Sequence, residues 1–282
     1  MAGEVIMIKQ NLHTHSLYCD GKDSFEEMIQ TAIEKEFTIL GFSSHGYTPD
    51  ETLGMDEETI LKYQKELKDL KNKYKDQISI YTGIEQDMLY RVKHPYSFDY
   101  IIGSKHYVNG TGYENGVDCS KEITKKIVQS QFSNDFLLYA KNYYEDIIQM
   151  ADWDEVDIIG HFDLIMKYNE DQSFLSFSNR KYINMACDAL DCLLSKDKII
   201  EVNTGAMARG YRSQAYPEVH LLEYIASKNG KIILNSDCHN RKDLDAGYDS
   251  TLASLEKIGF KEMMVLTDCG FKAVDIKQFK RG

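Results

Sequence analysis

The chain has 282 residues, 43% of them apolar and 28% charged, enough to bury a full core. A formal net charge of -12 argues against nucleic acid as a partner, because phosphate backbones are bound by stripes of Lys and Arg. No apolar stretch approaches the roughly 20 residues of a membrane span, and no basic segment leads into an apolar run at the N-terminus. The sequence therefore reads as soluble and cytoplasmic, with no membrane partner. Its six cysteines form no C-x-x-C pair, so reduced thiols are expected rather than disulfides or a thiolate zinc site.

The first candidate strand, "EVIMIKQNLH" (4–13), runs into His13-Thr14-His15. Side chains two apart on a strand share a face, so both imidazoles project together while Thr14 points away. A helical pattern near 24–36 precedes "FTILGFSS" (37–44), which closes on His45. After a helix near 57–75, "ISIYTGIE" (78–85) ends in Glu85 and "FDYIIGSKH" (98–106) in His106. A helix near 134–151 leads to "VDIIGHF" (156–162), which carries His161. A helix near 179–196 leads to "KIIEVNT" (198–204), which offers Asn203. A helix near 218–229 precedes "KIILNSD" (231–237), ending in Asp237, with His239 two residues on. A helix near 250–258 and a last strand, "EMMVLTD" (262–268), complete the chain.

Such alternation means parallel strands joined by helical crossovers, and continuous apolar runs mean that both sheet faces are covered. No Pro-rich linker, repeat or composition shift divides the chain, so residues 1–282 are expected to form one domain. The long segments 46–56, 107–133 and 204–217 each come after a strand, where a barrel builds its site. The loop at 107–133 is a candidate lid, carrying Tyr107, Tyr113 and Glu114.

Six of the eight histidines fall at C-terminal strand ends, and Glu85 and Asp237 stand at the same edge. Parallel closed sheets gather those ends into one mouth. The pairs His13/His15 and Asp237/His239, with Glu85, make a nitrogen-and-oxygen ligand set for divalent metal. His94 precedes its strand and His220 sits in a helical pattern, so neither belongs to the set. Cys238 is expected to pack in the wall, and Cys19 lies near the mouth without a partner thiol. "GFSSHG" (41–46) lacks the second glycine of a nucleophile elbow.

From "NLHTHSLYCDG" through "GFSSHG", "GIEQD", "YIIGSKH", "IIGHFD" and "EVNT" to "NSDCH", the chain resembles the polymerase and histidinol phosphatase (PHP) superfamily. Within it, the likeness is to the monofunctional histidinol-phosphate phosphatases. The resemblance implies an α/β fold, a distorted TIM-like (β/α)7 barrel, which leaves the strand at 262–268 outside the closed ring. It implies three divalent metals, zinc, iron or manganese. His13, His15, Glu85 and Asp237 would hold one; Asp20, His45 and His239 a second; Glu85, His106 and His161 the third, with Glu85 bridging. Glu85, Asp237 and His239 are expected to serve catalysis. Asp163, Asn203 and Ser104 read as positioning or substrate groups rather than ligands.

Clustered divalent ions lower the pKa of bound water from ~15.7 to near 7 and clamp both oxygens of an in-line displacement. That suits direct attack of a bridging hydroxide on a phosphate monoester. Outer phosphate oxygens call for a guanidinium fork, and Arg209 and Arg212, after the sixth strand, are the candidates, with Lys105 as a further one. The expected activity is hydrolysis of L-histidinol phosphate in histidine biosynthesis. The alternatives are a related phosphoesterase acting on other small esters or phosphotyrosine protein, and a noncatalytic metal-binding module.

Overall fold

The computed structural model describes residues 7–48, 54–91, 97–110 and 112–280. Seven parallel strands succeed one another around the sheet in chain order: β1 (Gln10–Asn11), β2 (Ile39–Phe42), β3 (Ser79–Asp87), β4 (Tyr100–Ser104), β5 (Ile158–Ile159), β6 (Ile199–Asn203) and β7 (Ile232–Asn235). The result is the distorted (β/α)7 barrel expected. Helices α1 (Phe25–Glu34), α2 (Glu57–Tyr74), α3 (Lys121–Gln131), α4 (Phe136–Ile147), α5 (Arg180–Ser195), α6 (Gly205–Ala208), α7 (Val219–Ser227) and α8 (Tyr248–Ile258) lie between or after them.

Local chemistry sets the helix limits. Ser24 and Glu27 form a reciprocal capping box at the start of α1, whose Phe25, Met28, Ile29 and Ala32 share one buried face. Asp56 caps α2 by accepting from the Thr59 amide at 2.8 Å. Gly259, at φ 114°, ends α8 in the left-handed conformation that other residues adopt at a cost.

The barrel floor is plugged by a single ring. Tyr100 is fully buried, and a Cβ on Gly83 would stand 2.2 Å from its Cζ, while one on Gly41 would stand 2.4 Å from its hydroxyl. Only glycines on the two preceding strands leave it room. Its hydroxyl donates to the Leu12 carbonyl at 2.5 Å, which ties β4 across the interior to the end of β1.

The ring closes between β1 and β7 through side chains more than through a ladder. Asn235 Oδ1 accepts from the Leu12 amide at 2.8 Å, Asn11 Nδ2 donates to Ser236 Oγ at 2.6 Å, and a lone bridge joins Thr14 to Cys238. This explains why the strand expected over 4–13 shrinks to two residues in the ladder; its first part, 4–6, lies outside the described residues.

Two further differences from expectation have local causes. Segment 107–133 contains α3, capped by Ser120 and burying Thr124, Ile127 and Val128, so its second half is helix rather than loop. The strand at 262–268 is β8 (Glu262–Thr267), outside the barrel as expected, but it pairs antiparallel with β9 (Gly270–Asp275), whose mostly exposed "GFKAVD" presents no continuous apolar run. The hairpin docks on β1, where Gln10 Nε2 donates to the Met264 carbonyl at 3.2 Å and its Oε1 accepts from the Leu266 amide at 2.9 Å. No described helix is long and apolar enough to cross a membrane.

Candidate metal centre

At the C-terminal mouth of the barrel, one layer above Tyr100, the strand ends deliver their imidazoles and carboxylates to a common space. His13 and His15 face inward together, while Thr14 turns to the wall and donates to the Gly41 carbonyl at 2.8 Å. The Asp237/His239 pair arrives differently. Cys238 is buried in the wall, as strand parity predicts, but Asp237 has φ 48° and the chain bends there. His161, at φ 21°, is likewise turned inward at a tight bend after β5. Two site residues thus hold backbone conformations that cost energy.

Glu85 stands at the centre. Its Oε2 lies 2.9 Å from His45 Nδ1, 3.3 Å from His13 Nε2 and 3.5 Å from His15 Nε2. Its Oε1 lies 3.0 Å from His161 Nε2 and 3.4 Å from His106 Nε2. Asp237 Oδ1 is 3.3 Å from His15 Nε2 and 3.7 Å from His13 Nε2. Asp20 faces His239 Nε2 at 3.1 Å, His15 Nδ1 at 3.5 Å and His45 Nε2 at 3.7 Å. All nine expected ligands therefore meet in one place, and His94 lies outside the described residues. Three groups are tight enough to hold an ion: His15, Asp20, His45 and His239; His13, His15 and Asp237; His45, Glu85 and His106. These group His15 and His45 with more than one neighbour set, where the resemblance implied a single one for each.

The donor atoms fit cations. Four polar atoms of the cluster, His13 Nε2, His15 Nε2, Glu85 Oε2 and Asp20 Oδ1, are buried without a hydrogen bond. Such desolvated atoms are costly unless something engages them, and divalent ions would. Charge within the cluster is strongly coupled. Burial alone would lower the His13 pKa, but the carboxylates of Glu201, Glu85 and Asp237 outweigh it and hold it well above the ordinary imidazole value. Burial would raise Glu85, yet His13, His45 and His106 keep it well below the usual carboxylate range. Against burial, Cys19, Asp237 and Asp20 raise His15 to about 10.

Behind the cluster, two carboxylates that sequence reasoning passed over fix the rings. Glu201 is fully buried; its Oε1 accepts from His13 Nδ1 at 2.7 Å and Asn235 Nδ2 at 2.9 Å. Its Oε2 accepts from the His161 amide at 2.8 Å and Asn203 Nδ2 at 2.9 Å. Asp87 Oδ2 lies 3.1 Å from His106 Nδ1 and accepts from its backbone amide at 2.9 Å. The signal for Glu201 was present: a charged residue inside the apolar run "KIIEV" must find buried partners.

A cavity of about 360 Å³ opens over the cluster. Of the expected phosphate-binding residues, Arg209 lines it, with Nη2 3.1 Å from Asp237 Oδ2 and Nη1 3.1 Å from the Asp237 carbonyl. The others do not. Arg212 is buried against Glu170 (3.0 Å), Glu218 and the Met166 carbonyl (3.2 Å), because two acids inside the same fold claim its guanidinium. Lys105 turns into the wall, where Nζ meets Asp146 at 2.5 Å, since the residue beside an inward His106 must point outward. Asn203 is engaged by Glu201 and by the Gly205 amide, which donates to its Oδ1 at 2.9 Å. Ser104 is fully buried beside Gly160 rather than in the cavity wall. Asp163 accepts from the Glu218 amide at 3.0 Å, and burial lifts its pKa to about 7 despite Arg212. The cavity is lined instead by cations that no motif announced, Lys22 and Lys167, and by Asp118.

Residues 11–205 match the family model described as the PHP domain. The chain is 28% identical over 279 residues to a protein of Schizosaccharomyces pombe named "Probable histidinol-phosphatase", covering 90% of this chain and 88% of that one. It is 22% identical to the "Histidinol-phosphatase" of Bacillus subtilis, covering 87% and 99%. Among solved structures, the fold matches histidinol phosphate phosphatase of Lactococcus lactis complexed with zinc, L-histidinol and phosphate. The TM-score is 0.70 at 19% identity, covering 94% of this chain and 98% of that one.

Proposed function

Because the chain belongs to the PHP domain family, we propose that it is a metal-dependent phosphomonoesterase that hydrolyses L-histidinol phosphate to L-histidinol and phosphate. The observation that carries this reading is the convergence of eight imidazole and carboxylate side chains with Glu85 in one place, several of their donor atoms buried and unbonded, under a cavity that Arg209 lines. The names of the relatives supply the substrate.

Three divalent ions, held by His13, His15, Glu85 and Asp237, by Asp20, His45 and His239, and by Glu85, His106 and His161, suit this donor set. Zinc, iron or manganese would supply Lewis-acid neutralisation of the phosphoryl group and an acidified water. The protein's own contribution is placement. Glu201 and Asp87 hold two rings so that their free nitrogens face the cavity, which removes the cost of ordering them when substrate arrives. Arg209 keeps one face on Asp237 and presents cationic charge to the outer phosphate oxygens. Lys22 adds positive charge at the mouth and Lys167, buried in the wall, offsets Asp118, so in a chain whose net charge is -12 attraction of the anion is local.

Phosphate release from L-histidinol phosphate, measured beside an aryl phosphate and a phosphotyrosine peptide with metal content recorded, tests this reading. A preference for L-histidinol phosphate is expected. Equal turnover of all three would make the protein a generalist, and no release by metal-loaded protein would make the site a binding module.

A further inference from the structure

The cavity wall holds five carboxylates, and four are already engaged with the cluster: Glu85, Asp20 and Asp237 face imidazoles, and Asp87 orients His106. Asp118 is different. Among the described residues no imidazole lies within ion-pairing distance of it, and its side chain is 34% exposed. Its backbone is pinned, since the carbonyl accepts from Tyr168 Oη at 2.6 Å and Lys167 Nζ at 2.9 Å. Lys167 reaches the carboxylate only at Oδ2, 3.3 Å away, and sits over the rings of Tyr168 and Tyr211 at 5.5 and 5.1 Å. Oδ1 accepts no hydrogen bond from any described residue. The wall beside it is Tyr107, Leu164 and Cys119, with room for an organic group.

Resting on the function proposed above, we propose that Asp118 receives the cationic part of the leaving group, the ammonium or imidazolium of an aminoalkyl phosphate. A fixed carboxylate with one unengaged oxygen is a suitable acceptor for two or three N–H donors. Its pairing with Lys167 keeps it from repelling the phosphate held at the other side of the cavity. Recognition of this kind discriminates by charge: a neutral ester of the same size gains nothing from Asp118.

The test compares L-histidinol phosphate, ethanolamine phosphate and ethyl phosphate on wild type and on Asp118→Asn, with metal content measured for both. The ratio of kcat/KM for ethanolamine phosphate to that for ethyl phosphate should fall by about tenfold in the variant, chiefly through KM, the scale of one partly exposed charge pair. Proportional loss on both esters would mean that Asp118 only positions Lys167, and would overturn the proposal. So would a wild type that treats the two alike. If the wild type ignores L-histidinol phosphate, the substrate reading fails by itself, and the ratio for the simpler pair still decides for or against Asp118.

Discussion

The two ends of the barrel are built from the same strands and obey opposite rules. Below the site, the buried tyrosines satisfy their hydroxyls: Tyr100 inside the barrel donates to the Leu12 carbonyl, while Tyr248 of α8 and Tyr63 of α2 donate from the helix layer to the Gln10 carbonyl at 3.0 Å and the Phe42 carbonyl at 2.7 Å. At the mouth, one residue pair further along β3, ring nitrogens and carboxylate oxygens are buried without hydrogen bonds. The floor and the helix layer around it contribute stability by pairing these hydroxyls inside the protein, whereas the mouth keeps donor atoms open for something that is not protein.

The largest test of that contrast is Glu85→Ala. Removing the shared carboxylate should lower turnover at least about thousandfold and lose two metals together, read by elemental analysis. Full metal content in this variant would contradict the bridging role. At the floor, Tyr100→Ala should cost about 3–5 kcal/mol in denaturant unfolding, the usual range for a buried aromatic. The folded fraction should still take up metal in the full amount; if it does not, the two ends are not separable.

These two residues also show how far the sequence could be read. The order of strands and the residues at their ends were legible because a parallel sheet needs apolar runs and gathers the C-terminal end of every run at one edge. Glu85 was found in that way. Tyr100 was not, since its role depends on Gly41 and Gly83 facing it across the barrel, a relation that no local pattern carries. The arginines show the same limit. Arg209 and Arg212 sit in one loop with similar surroundings in sequence, and only the folded positions of Glu170 and Glu218 take Arg212 away from the cavity.

Glu201→Gln sharpens the contrast from behind. A carboxylate accepts from four donors here, and an amide would set its own N–H against two of them. Metal affinity should fall about 10–100-fold, measured by competition with a chelating dye. Arg209→Ala should weaken inhibition by phosphate about tenfold while metal content stays the same. Unchanged inhibition would remove Arg209 from the phosphate site.

The smallest effect is a pH trend. His15 is raised from 6.5 to about 10, so in chelator-stripped protein its stabilisation is complete below pH 6.5 and fades as pH rises toward 10. Ions must displace that proton, so metal affinity should climb over the same interval. Calorimetric titrations in two buffers of different ionisation heat would register the released proton, and affinity independent of pH would contradict the assignment.

The join between β1 and β7 rests on Asn11, Asn235 and a single bridge. His13 and His15 stand just past one side of it, Asp237 and His239 past the other. Ions held by both sides would therefore act as a clasp, so that loading the centre also fastens the hoop. Protection of the Leu12 and His15 amides from hydrogen exchange would then report occupancy from the backbone side.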